Sequence, residues 1–134
     1  MIFDTSVLLR VLREKDFLER LSVSEEVRIT SITVYELLRG AVFINLTRRR
    51  DREMNIVLSL ISELNVIPLT GDDAKVASYI WARLREKGES VSDADILVAS
   101  ICSGKGEKLL TLNGDYEKIR NVYEKLEVEI LKEP

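Results

Sequence analysis

Along the chain, short apolar runs alternate with longer stretches of helical period. Residues 1–3 form an apolar run that ends at Asp4 and opens into residues 6–12, where Leu8, Val11 and Leu12 share a helical face. A polar break at 22–26 precedes a predicted strand at 27–30. The stretch 32–46 carries Val34, Leu37, Leu38 and Ala41 at i, i+3, i+4 and i+7, the spacing of an amphipathic helix. After a charged interruption at 48–53, Val57, Leu60, Ile61 and Leu64 repeat that spacing. Residues 66–69 read as a strand, and Pro68 assigns it to a sheet edge because proline has no N–H for a ladder. Thr70 opens a helix expected to bury Ala77, Ile80, Trp81 and Leu84 and to stop at Gly88. Ser92 opens another, with Ala94, Leu97, Val98 and Ile101 apolar and Gly104 at its end. A strand at 108–112, a short helix at 113–123 and a strand at 128–131 complete the pattern.

The order is β-α-β-α-α-β-α-α-β-α-β. Strands that alternate with helices predict a three-layer α/β/α sandwich around a mainly parallel sheet of about five strands. The length of 134 residues suits one domain over 1–134, without repeat or linker. A hydrophobic share of 46% with only 6 Gly and 2 Pro is globular composition.

Charge and the missing residue types then narrow the chemistry. The net charge of −3 excludes a generic basic coat for nucleic acid. With no His and a lone Cys102, there is no Ser-His-Asp triad, no Cys-His pair, no intrachain disulfide and no nitrogen- or thiolate-rich zinc site. The chain shows no basic-then-apolar leader and no membrane-length apolar run, so a cytoplasmic protein without membrane contact is expected. Carboxylates, hydroxyls, Lys, Arg and a hard cation remain for catalysis.

The acids are placed informatively. Asp4 follows the first strand, Glu36 lies early in the helix after the second, and Asn113 and Asp115 follow the strand at 108–112. In a parallel sheet, residues just past the strands gather at the carboxyl edge, where ligands bind. Asp95, in the first turn of the helix opened by Ser92, is less firmly tied to that edge because two helices separate it from the preceding strand. Thr33-x-x-Glu36 and Ser92-x-x-Asp95 also fit capping boxes, and singly each acid reads more readily as a cap than as a ligand. Their shared edge changes the balance. Converging carboxylates repel unless a cation offsets them, and an all-oxygen set suits Mg²⁺ or Mn²⁺.

These segments resemble the PIN-domain family. Asp4-Thr5-Ser6 is similar to its opening block, ITSITVYELLRG at 29–40 to its second with Glu36 as the acid, DILVAS at 95–100 to its third, and LLTLNGDY at 109–116 to its fourth. The blocks arrive in family order, and the chain length is most similar to VapC-type toxins of prokaryotic toxin–antitoxin pairs. The resemblance implies an Mg²⁺- or Mn²⁺-dependent endoribonuclease acting on single-stranded or loop RNA, a homodimer, and a cognate antitoxin that holds it inactive. Asp4, Glu36, Asp95 and Asp115 are the expected catalytic carboxylates. Asp4 and Asp95 are assigned to the metal, Glu36 and Asp115 to water or a second metal site, and Asp93 is an additional candidate ligand. Ser6, Thr111 and Asn113 are the supporting residues. The family often carries Asp where Asn113 stands, which leaves open whether Asn113 or Asp115 fills the fourth position. A housekeeping RNA-processing nuclease or a non-catalytic binding module on the same fold are the alternatives. Arg48, Arg49, Arg50 and Arg52 read as a solvated helix start, and Cys102 as a buried small hydrophobe.

Overall fold

The structure, a computed structural model, describes residues 1–132. Five strands form one all-parallel sheet in the order β3-β2-β1-β4-β5: β1 (Ile2–Phe3), β2 (Arg28–Thr30), β3 (Asn65–Ile67), β4 (Leu109–Thr111) and β5 (Val128–Ile130). Ile2 registers with Arg28 on one side and Leu109 on the other, and Phe3 with Leu110. The first strand of the sequence is therefore the middle strand of the sheet. β3 lies at an edge, as expected, but it spans Asn65–Ile67, so Pro68 falls directly after the strand rather than within it.

Strand alternation divides the core into two. Ile2 and Leu109 face one layer, where they pack with Ile80, Leu84, Ile101 and Ile119. Phe3, Leu110 and Ile29 face the other, with Val7, Leu37 and Val57. The first layer is built by α5 (Gly71–Glu86), α6 (Asp93–Lys105) and α7 (Asp115–Val122). The second is built by α1 (Thr5–Arg13), α2 (Phe17–Leu21), α3 (Ser31–Arg48) and α4 (Arg52–Ser62). This is the three-layer sandwich that the apolar pattern predicts. Among the described residues, no helix is long and apolar enough to cross a membrane.

Four details differ from the sequence expectations. Helix α2 was not expected. Its five residues are too few to show a period, and what holds it is Phe17, buried between the guanidinium groups of Arg10 and Arg20 at 5.2 and 5.6 Å. Trp81 is not core: it is 45% exposed, one step past the buried stripe of Ala77, Ile80 and Leu84. Thr33 does not open a capping box with Glu36. The helix starts earlier, with Thr30 accepting from the Thr33 N–H, and Glu36 is left free for another role. Finally, α6 runs past Gly104 and ends at Gly106, whose φ of +64° is the left-handed turn that favours glycine.

Gly104 serves packing. A Cβ built there would lie 2.6 Å from Asp73 Oδ1, and Asp73 is held by the capping box of α5, in which it exchanges hydrogen bonds with Thr70. Gly40, in α3, has nothing within 4 Å of the same atom. The two glycines should therefore respond with opposite signs to the same substitution. Gly104→Ala is expected to destabilise by about 1 kcal/mol through the disturbed cap. Gly40→Ala is expected to stabilise by up to about 1 kcal/mol through helix propensity. Urea denaturation of both variants checks this; stabilisation by Gly104→Ala would contradict the packing.

Candidate active site

The site is organised around Asp4. It follows β1 at the sheet's middle and is 4% exposed. Its Oδ1 caps α1 by accepting from the Val7 N–H at 3.1 Å, and also accepts from the Ser6 hydroxyl at 2.6 Å. Its Oδ2 accepts a short hydrogen bond from the Thr111 hydroxyl at the end of β4. Ser6 ties the two strands' ends further by accepting from the Leu112 N–H at 3.0 Å. Burial raises the Asp4 carboxyl above the ordinary carboxylate range; the Ser6, Thr111 and Val7 hydrogen bonds work against that rise, and the charge of Asp95 adds to it.

Asp95 is positioned from two directions. Ser92 caps α6 and holds the Asp95 N–H at 3.2 Å. The Asp95 carboxylate accepts from Asn113 Nδ2 and from the Tyr116 hydroxyl, each at 3.1 Å. Burial raises its carboxyl first of all; Ser92 and Tyr116 lower it, and Glu36 and Asp115 raise it again by like charge. Tyr116 is fully buried, which holds its phenol well above the ordinary range and keeps it a donor to Asp95. Four acids from four elements thus feel one another: Asp4 with Asp95, and Asp95 with Glu36 and Asp115.

Glu36 accepts from the Thr5 hydroxyl at 2.7 Å through Oε1, while Oε2 lies 3.8 Å from the Arg39 guanidinium. Asp115 is half exposed and lies 3.4 Å from Lys118 Nζ. Asn113 bridges two of the acids, since its Nδ2 reaches Asp95 and its Oδ1 accepts from the Asp115 N–H at 2.9 Å. Asp93 is exposed, and among the described residues its side chain makes no hydrogen bond or ion pair to the cluster. Of the arginines, Arg50 pairs with Glu53 at 2.7 Å in the α3–α4 connection. Thr5 and Tyr116 were not among the candidate site residues. Their signal was adjacency, because each stands beside an acid of the quoted motifs.

The donor set fits a hard divalent cation. Asp4 Oδ2, both Asp95 oxygens and Glu36 Oε1 each accept one hydrogen bond, and a carboxylate oxygen has room for a second contact. No lysine or arginine pairs with Asp4 or Asp95 among the described residues, so their mutual repulsion is uncompensated within the chain. No three acids, thiols or imidazoles among those residues close around an ion by themselves. A cation held by one or two of these carboxylates would have to complete its shell with water and phosphate oxygens.

Comparison with known proteins gives the same frame. The PIN domain family model matches residues 1–122. Ribonuclease VapC3 of Methanocaldococcus jannaschii is 35% identical over 101 residues, covering 75% of this chain and 95% of that protein. Among solved structures, DNA-bound VapBC of Salmonella typhimurium matches with a TM-score of 0.80 at 27% identity, covering 96% of both chains. VapBC2 of Rickettsia felis, bound to a DNA fragment from its promoter, matches with a TM-score of 0.81 at 18% identity, covering 98% of this chain and 100% of that one.

The like-charge coupling yields a stability prediction. In Asp95→Asn, the single amide oxygen can keep one of the two hydrogen bonds donated by Asn113 and Tyr116, while the side-chain shape is kept and one negative charge is removed. The metal-free variant should melt no lower than wild type, and its stabilisation by Mn²⁺ should shrink. A side chain serving only as a first-turn acid would instead lose up to about 1 kcal/mol of helix-dipole interaction, with no change in the Mn²⁺ response. Thermal melts of both proteins, with and without Mn²⁺, separate the two signs.

Proposed function

The chain belongs to the PIN-domain family, and from that premise we propose that it is a divalent-metal-dependent endoribonuclease, the toxin of a VapBC-type toxin–antitoxin pair. The observation that carries the reading is the set of coupled carboxylates on hydrogen-bonded supports at the carboxyl ends of β1 and β4. The absence of His from the chain leaves those carboxylates as its acid–base groups at neutral pH.

Asp4 and Asp95 would hold Mg²⁺ or Mn²⁺. Bound there, the ion supplies Lewis acidity and offsets the negative charge that develops at the phosphodiester. The protein's own share is positioning. Ser6 and Thr111 fix both oxygens of Asp4, and Asn113 and Tyr116 fix both oxygens of Asp95. Thr5 fixes Glu36 so that Oε2 remains available to orient the attacking water and take its proton. Asp115, steadied by Lys118, stands at the exposed rim, where the RNA strand enters. Water adds to phosphorus in line as the P–O bond to the leaving nucleotide breaks, and the leaving oxygen takes up a proton from solvent.

Partners in this reading are single-stranded RNA as substrate, an antitoxin protein, and a second copy of the chain. The flank of α3 supplies apolar surface for protein partners: Tyr35, Phe43 and Leu46 are 60, 66 and 69% exposed.

Cleavage of single-stranded RNA is expected to require Mg²⁺ or Mn²⁺, to stop in chelator, and not to return with Ca²⁺, which is larger and a weaker activator of water. Asp4→Asn should lower kcat/KM by at least about a hundredfold. Thr111→Val, which removes only the support of Asp4, should lower it by about 10- to 100-fold. Full activity in chelator, or in Asp4→Asn, would overturn the proposal.

A further inference from the structure

Trp81 is the feature that the reaction does not use. The indole stands 45% exposed between two hollows, of about 460 and 400 Å³, and lines both. The guanidinium of Arg85 lies 4.7 Å from its ring centroid, and no carboxylate among the described residues pairs with Arg85. An exposed indole stacked with an arginine whose donors are unused offers a flat, polarisable surface of the kind on which unpaired bases stack.

The larger hollow adjoins the proposed active site. Ser92 and Asp93 line it, and Asp95 lies two residues further along the first turn of α6. Glu89 also lines it, 3.8 Å from Lys118 Nζ, and the same ammonium is 3.4 Å from Asp115. The polar groups in the hollow are of a particular kind. Glu89 and Asp93 offer acceptors, Ser90 and Ser92 hydroxyls, and Arg85 is the one cation among its lining residues. Two carboxylates repel a phosphate but accept well from the amino group of a base.

We propose that the hollow beside Trp81 is a subsite for an unpaired RNA base bearing an exocyclic amino group, seated next to the scissile phosphodiester. The base stacks on the Trp81–Arg85 surface, and its amino group donates to Glu89 or Asp93. Cytosine and uracil share a ring size and differ at that group, so the subsite discriminates between them. This inference rests on the ribonuclease reading and adds to it a base preference set by this chain's own residues.

Trp81 is the only tryptophan, so indole emission reports on this position alone. Short labelled oligocytidylate and oligouridylate are titrated into the full chain in Ca²⁺, with anisotropy read for binding and emission for Trp81; cleavage is followed separately in Mg²⁺. Oligocytidylate is expected to change the emission with the same midpoint as the anisotropy and to bind more tightly than oligouridylate. Trp81→Ala should weaken binding by about tenfold to a hundredfold, and Trp81→Phe, which keeps a stacking ring, by less. RNA that binds and is cut while the emission stays constant, or binding unchanged in Trp81→Ala, would remove the subsite and leave the ribonuclease reading standing. Equal binding of the two oligonucleotides would overturn the amino-group preference. Emission that changes with protein concentration and then ignores RNA would mean that a second copy covers Trp81, which also overturns the subsite. RNA neither bound nor cut would overturn both readings.

Discussion

The molecule turns on one buried carboxylate. Asp4 sits where the middle strand ends, nearly without solvent, and has to be satisfied by hydrogen bonds from the protein. Those donors come from α1 and β4, so a single side chain caps a helix and pins two strand ends together. The same bonds leave one oxygen with room for a further contact. An acid that caps a helix is an ordinary structural device; one buried beside other acids, with no lysine or arginine paired to it among the described residues, is a candidate for a functional site.

Topology supplies the rest. β1 lies at the centre because β2 and β4 both pair with it, and the helices that follow those strands carry Glu36 and the Asn113–Tyr116 segment to the same edge. Asp95 comes from a helix that does not directly follow a strand. It reaches the cluster because Asn113 and Tyr116 receive its carboxylate, and Tyr116 is itself locked in the core. Core packing and site geometry are therefore one problem, since the ring that fills the interior also aims the acid. The cost is electrostatic, with Asp4 pushed upward by burial and the charge of Asp95, and Asp95 by burial and the charges of Glu36 and Asp115. A bound divalent cation is the natural relief.

Much of this was legible along the chain. The succession of elements follows from apolar period, the mainly parallel sheet from the alternation of strands with helices, and an edge position for β3 was expected from Pro68; the order of strands within the sheet was not legible. What was not legible depended on neighbours distant in sequence. Trp81 sits at a helical spacing that suits a core, but the buried stripe of α5 is narrower than that spacing allows. Gly104 looked like a helix stop, although the reason for glycine there is the Asp73 carboxylate of another helix. Glu36 matched a capping box from Thr33, yet the true cap lies one turn earlier and Thr5 takes the glutamate instead. Thr5 and Tyr116 carry no pattern of their own, and only the fold shows that each holds an acid.

The central claim is that Asp4 and Asp95 share a divalent cation. Crystals of the wild-type chain grown with Mn²⁺, with anomalous scattering recorded at the manganese edge, test it directly. The account predicts an anomalous peak within coordination distance of carboxylate oxygens of both Asp4 and Asp95, absent from crystals of Asp4→Asn. A well-ordered Asp4 and Asp95 with no peak between them, or a peak held only by other residues, would contradict it.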